Sequence, residues 1–167
     1  MANQDAAFGL RPLKMIGGQA FHGGQSRYRI AANYGTAIFQ GDMVAQVTGG
    51  TVEVHADGGT VPIVGVFNGC RFTDPTTKKE TFSNFYPAST NASDIEAFII
   101  DDPNVIYEIQ GNAAFPIADL FGNFDIVYTS AGSTVTGISG AELDVATGAT
   151  TAGLPLKAID ISQDPEN

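Results

Sequence analysis

Nucleophilic chemistry needs a base within hydrogen-bond reach of a hydroxyl or thiol, and this 167-residue chain offers two histidines, His22 and His55, and one cysteine, Cys70. His22 lies in GGQAFHGGQ, where flanking glycines make a mobile loop rather than a rigid platform. His55 alternates with Glu53 on a predicted strand that ends in the ADGG turn. A triad joining Cys70 to either histidine has no local signature, and the cysteine reads better as a small buried hydrophobe. Glu96 and Glu108, predicted on neighbouring strands, have the residue types of a glycoside-cleaving carboxylate pair, but the chain has no tryptophan to stack a sugar. Asp101-Asp102 lacks the alternating oxygen ligands and following glutamate of a calcium loop, and no Cys/His pair has zinc spacing. The glycine pairs Gly17-Gly18 and Gly23-Gly24 lack the lysine and helix of a phosphate loop. Neither an enzyme nor a cofactor or metal site is expected; by elimination the output is binding through shape.

The elements that would carry such a surface are strands. Charged residues make up 16 % of the chain and glycine numbers 20, a composition that favours strands and tight turns over charged helical surfaces. From Ser26 the pattern alternates, placing Arg27 and Arg29 side by side roughly 6.7 Å apart on one face, with Tyr28 and Ile30 on the other. Gly49-Gly50 between Met43–Thr48 and Thr51–Val54 predicts a hairpin, ADGGT at 56–60 a second turn, and VPIVGVFNGCRF a third strand region. Residues 73–93 read as a long connection whose Phe82, Phe85 and Tyr86 pack down on the body or on a partner chain. DIEAFIIDDPNVIYEIQG predicts a hairpin over 95–110 turned at Asp102-Pro103-Asn104, its first strand buried on both faces. One short helix is expected from Pro116 to Phe121 with Gly122 as terminator, followed by strands at Asp125–Tyr128, around Ala141–Val145 and within LPLKAIDIS. The expected fold class is mainly β, an antiparallel β-barrel or β-sandwich of short strands: an extended N-terminal arm over 1–25 and a single β domain over 26–167.

Charge is uneven along the chain. Residues 1–30 carry Arg11, Lys14, Arg27 and Arg29 against Asp5, a net of +3, while the remainder carries −13. A body this acidic repels phosphate backbones, so no nucleic-acid partner is expected, and the basic leader suits an acidic protein surface. No run of about eighteen apolar residues is present and no export-signal h-region follows Asp5, so no membrane partner is expected and the chain should stay where it is made.

Three stretches, MANQDAAFGLRPLKMIGG, GVFNGCRFTDP…TFSNFYPAST and DIEAFIIDDPNVIYEIQGN, resemble in order and spacing a group of virion structural proteins of tailed phages of marine and freshwater bacteria, regarded as capsid decoration or cement proteins. The similarity runs over most of residues 1–161, and its motifs are architectural rather than catalytic. The resemblance implies a mainly-β body on the outside of an icosahedral head, often as a homotrimer, clamping neighbouring major capsid subunits; many members continue with a further strand segment. On that reading the protein is made in the host cytoplasm and ends on the capsid exterior. The leader would then reach an adjacent subunit, Phe8 and Leu10 filling pockets while Arg11, Arg27 and Arg29 face carboxylates. Two alternatives stand beside it. One is a receptor- or glycan-binding tail or fibre module with Phe82, Phe85 and Tyr86 as platform, and the other a β-barrel hydrolase using Glu96 and Glu108.

Overall fold

The computed structural model describes residues 6–59, 61–150 and 153–162. The start of the expected arm, the end of the ADGGT turn and the terminal QDPEN lie outside the described residues. The leader supplies β1 (Arg11–Met15), and the strand predicted at Ser26 is β2 (Ser26–Arg29). A short β3 (Ile38–Phe39) precedes the hairpin of β4 (Met43–Val47) and β5 (Thr51–Val54), turned at Gly49-Gly50 with both glycines at positive φ. The third strand region is one long strand, β6 (Ile63–Thr73), and the expected loop over 73–93 contains β7 (Glu80–Ser83) and β8 (Phe85–Tyr86). β9 (Glu96–Ile100) and β10 (Val105–Glu108) flank the Asp102-Pro103-Asn104 turn. Last come β11 (Asn123–Tyr128), β12 (Ala141–Ala149) and β13 (Leu156–Lys157). The chain is therefore mainly β, with antiparallel strand pairing throughout its sheets. Among the described residues no helix is long and apolar enough to cross a membrane.

One sheet runs β2-β9-β6-β4-β5, with β7 pairing the far half of β6. Its outer strands β2 and β5 approach one another without forming a ladder, so the sheet curls but does not close. The other strands form β1-β10 and β12-β11-β13, linked where Gly111 bridges to Leu143, and β3 pairs with β8.

Three expectations change. β9 and β10 are joined by a tight turn but do not pair with each other: β2 and β6 occupy the two edges of β9, and β10 pairs instead with β1. The helix expected over Pro116–Phe121 is a single 3-10 turn, Ile117–Asp119, and Phe121, not Gly122, takes the left-handed conformation with φ 68. The leader is not free through residue 25, because β1 is built into the fold and Leu10 is 3 % exposed. β1 has its own guard, since Pro12 lacks an N–H and the ladder shifts register between Pro12 and Lys14, leaving Leu13 as an exposed bulge.

Two cores share β6. The larger gathers Ile38, Val44, Val52, Phe67, Cys70, Phe72, Tyr86 and Ile99; the smaller gathers Leu10, Met43, Val66 and Ile126. A regular strand sends residues i and i+2 to the same side, yet Val64 packs against the first core and Val66 in the second. A register shift opposite Val44/Ala45 accounts for the switch, and another between Phe67 and Gly69 returns Cys70 and Phe72 to the larger core. Gly65 sits between these demands: a Cβ there would lie 2.3 Å from the carbonyl oxygen of Ile100.

Asp42 ties the cores together. It is 1 % exposed, its Oδ2 accepting the Phe39 N–H at 2.7 Å and its Oδ1 the Ser139 hydroxyl. Around it the Leu10 N–H donates to Gly41 O, the Phe67 N–H to Asp42 O, the Gln40 N–H to Gly137 O and the Ser139 N–H to Gln40 O. Gly9 closes the leader's side, with φ 68 and no room for a Cβ against Ser139 and Gly41 O. Burial pushes the Asp42 carboxyl up to about 6, and the bonds from Ser139 and Phe39 pull the other way.

Gly65→Ala must displace backbone, and we expect it to cost about 2–3 kcal/mol or more in urea unfolding. For Asp42 the folded state holds the proton more tightly than the unfolded chain, so this site's contribution is full below about pH 4 and is lost as pH rises through about 6. Relative to Asp42→Asn, the wild type should lose roughly 2–3 kcal/mol of stability between pH 4 and 7; parallel pH profiles of the two proteins would refute this.

Candidate partner-binding surface

Directly paired residues of antiparallel strands share a face. Arg29 of β2 stands opposite Glu96 of β9, Glu96 opposite Arg71 of β6, and Arg71 opposite Phe82 of β7. These four side chains form one row across four strands, about 14 Å long at the usual strand spacing. A second row beside it holds Arg27, Phe98 and Gly69.

The row is held by ion pairs rather than by burial. The Arg71 Nε donates to Glu96 Oε2 at 2.9 Å and its Nη1 to Glu80 Oε1 at 2.5 Å, while Arg27 Nη1 lies 3.6 Å from Glu96. The Arg71 hydrogen bond, then the charges of Arg71, Arg27 and Arg29, hold the Glu96 carboxyl below the usual carboxylate range. The two carboxylates in turn hold Arg71 still more firmly protonated. At the row's end the Thr73 hydroxyl and N–H both donate to Asp94, which keeps that carboxyl low and pins β6 to the approach of β9. Phe82 projects from this ordered background 67 % exposed. Five of the eight cations in the chain, Arg27, Arg29, Arg71, Lys78 and Lys79, lie on this face or in the β6–β7 turn.

The other expected binding residues fall elsewhere. Leu10 is a core residue, so it is not available to fill a partner's pocket while the leader is seated. Arg11 forms an ion pair with Glu108 and its guanidinium lies 4.8 Å from the centroid of the half-buried Phe8 ring. Phe85 is half-buried and stacks on Phe39 at 5.7 Å. Tyr86 is 0 % exposed, stacks on Tyr34 and donates its hydroxyl to Tyr34 O at 3.1 Å. The expected three-ring platform is therefore one exposed ring, Phe82, and two packed ones.

Apart from the exposed His22, the groups weighed for chemistry are engaged in structure. Glu96 binds Arg71 and Glu108 binds Arg11, on strands that do not pair with each other. Cys70 is buried, and burial pushes its thiol up to about 12. The buried His55 donates from Nε2 to Val61 O at 2.9 Å, while His22 is exposed. Asp101 accepts the Tyr28 hydroxyl, and Asp102 caps its own turn through the Asn104 N–H.

Arg71, Glu80 and Phe98 belong to the surface although sequence reasoning did not single them out. The available signal was period-two alternation along RFT and ETFS, and it is legible only once β6 and β7 are known to pair. Compared with family models, curated proteins and solved structures, the chain matches none.

Because the Glu96 carboxyl is depressed when folded, it contributes stability above its unfolded value and loses it as pH falls through the folded one. Glu96→Gln should leave the fold intact at pH 7 and flatten the acid limb of the stability profile below about pH 4.5. An unchanged acid limb in this variant would show that the ion-pair row does not order the surface.

Proposed function

We propose that the protein is a capsid decoration or cement protein of a tailed phage, binding the outer surface of the head and clamping neighbouring major capsid subunits, with a homotrimer as its working form. The observation that carries this reading is the Arg29–Glu96–Arg71–Phe82 row: an ordered sheet face combining arginines and an exposed aromatic ring, the residue types that dominate protein interface energetics. Five cations against Asp74, Glu80, Asp94 and Glu96 leave this face and its turn at +1 in a chain of net −10, which suits an acidic partner surface, and the sequence resemblance supplies the class of partner. Two groups of strands packed across the core of Leu10, Met43, Val66 and Ile126 support a sandwich over a barrel. The glycan-binding alternative is weakened by the burial of Tyr86, which leaves Phe82 as the one exposed ring of the three in its platform.

The test is binding to purified heads lacking the protein. Phe82→Ala combined with Arg29→Glu changes exposed positions, so unfolding should shift by less than about 1 kcal/mol. Occupancy on heads should fall at least tenfold, the effect of losing about 1.4 kcal/mol or more of interface energy. Undiminished occupancy, or absence of the wild-type chain from purified particles, would overturn the reading.

A further inference from the structure

We propose that the leader, residues 6–15, exchanges between copies, so that in a crowded assembly the leader of one copy occupies on its neighbour the seat it holds here on its own body. Apart from the local ties of Lys14 and Met15 to residues 18–20, everything that grips the leader lies beyond residue 38. Leu10 is buried with Met43, Val66 and Ile126; Gly9 lies against Ser139 and Gly41; β1 runs along β10; and Arg11 meets Glu108. Between the leader and β2 lies only the segment 16–25, in which every residue except Phe21 is exposed. Its four glycines, Gly17, Gly18, Gly23 and Gly24, have nothing within 4 Å of where a Cβ would stand. The segment is folded back locally, by the Met15 N–H on Gln19 O and a bridge between Lys14 and Ala20, with outside ties from the Ile16 N–H to Asn104 O and from Asn68 to Gln25. A terminal strand with a complete seat, attached through an exposed glycine-rich hinge, is the arrangement that permits exchange.

Exchange keeps every seat contact and changes only who supplies the leader, so concentration decides it. A hinge of this length holds its own leader at an effective concentration on the order of millimolar, which keeps a dilute protein closed. Extended, ten residues reach on the order of 33 Å. One neighbour within that radius corresponds to about 10 mM, enough to compete with closure. The inference requires neighbouring copies and no particular surface beneath them, so it stands or falls separately from the capsid reading.

The register supplies the test, since Arg11 is paired with Glu108 and Lys14 with Ile106. The R11C/E108C variant, refolded from denaturant under oxidising conditions, should give intramolecular disulfides at micromolar concentration and covalent dimers and larger species at millimolar concentration on a non-reducing gel. The intermolecular fraction should rise at least tenfold, and R11C and E108C mixed as single variants should give the heterodimer above the background of either alone. All variants carry Cys70→Ala, because the Cys70 thiol, buried when folded, is open to oxidation while the chain is unfolded. K14C/I106C repeats the measurement should the first pair fail to fold by circular dichroism. Intramolecular bonds alone at millimolar concentration, in whichever pair folds, would overturn the proposal.

Discussion

A carboxylate shut away from water must be met by donors, and at Asp42 the donors come from distant parts of the chain. Phe39 supplies one, three residues before it, and Ser139 the other, ninety-seven residues after it. The same four-residue bend, 39–42, binds Leu10 of the leader and Phe67 of β6 through the backbone. Each segment satisfies groups that the others would leave bare, so none can shift alone without stranding a buried polar atom. The raised affinity of Asp42 for a proton is the cost of placing a charge where an apolar group would have been cheaper, and what results is a fixed meeting point for segments that are far apart in sequence.

From that point β6 serves both cores. Its two register shifts let one strand present Val66 to one side and Phe67 and Cys70 to the other, without the strict alternation a flat strand would impose. Gly65 is the residue at which backbone meets backbone, and its lack of a side chain is what the crossing of β6 and β9 requires. Order of the exposed face follows, because Arg71 stands on β6, the strand that β7 with its Phe82 pairs against and whose Phe67, Cys70 and Phe72 are in the core.

Much of the strand inventory was legible because period two and glycine turns are local signals. The Gly49-Gly50 hairpin, the strand of Arg27 and Arg29, and the existence of β9 and β10 all follow from them. Partnership was not legible. A strand as apolar as β9, with Ala97, Ile99 and Ile100 buried and Glu96 and Phe98 half-buried, is central and needs two neighbours, yet hydrophobicity does not say which strands they are. The aromatics of residues 73–93 show the same division: they had to pack, and Tyr86 does, but which ring remains outside depends on β7 adding to β6 and β8 to β3. At the surface, Arg27 and Arg29 share a face as alternation dictates, while the carboxylate between them and Arg71 becomes visible only through register. The leader misled because it is short, polar at its start and without a period; its docking depends on Gly9 and Leu10 matching a seat built elsewhere.

The bulge at Leu13 and the imino residue before it have a further consequence. Between Leu10, tied to Gly41, and Lys14, bridged to Ala20, a straight outer edge on β1 would offer its amides and carbonyls to the same edge of any other molecule, and copies packed at high density could pair along it. With one donor missing and the spacing broken, such stacking finds no continuous partner. Crowding can therefore bring these molecules close without drawing them into a filament along this edge.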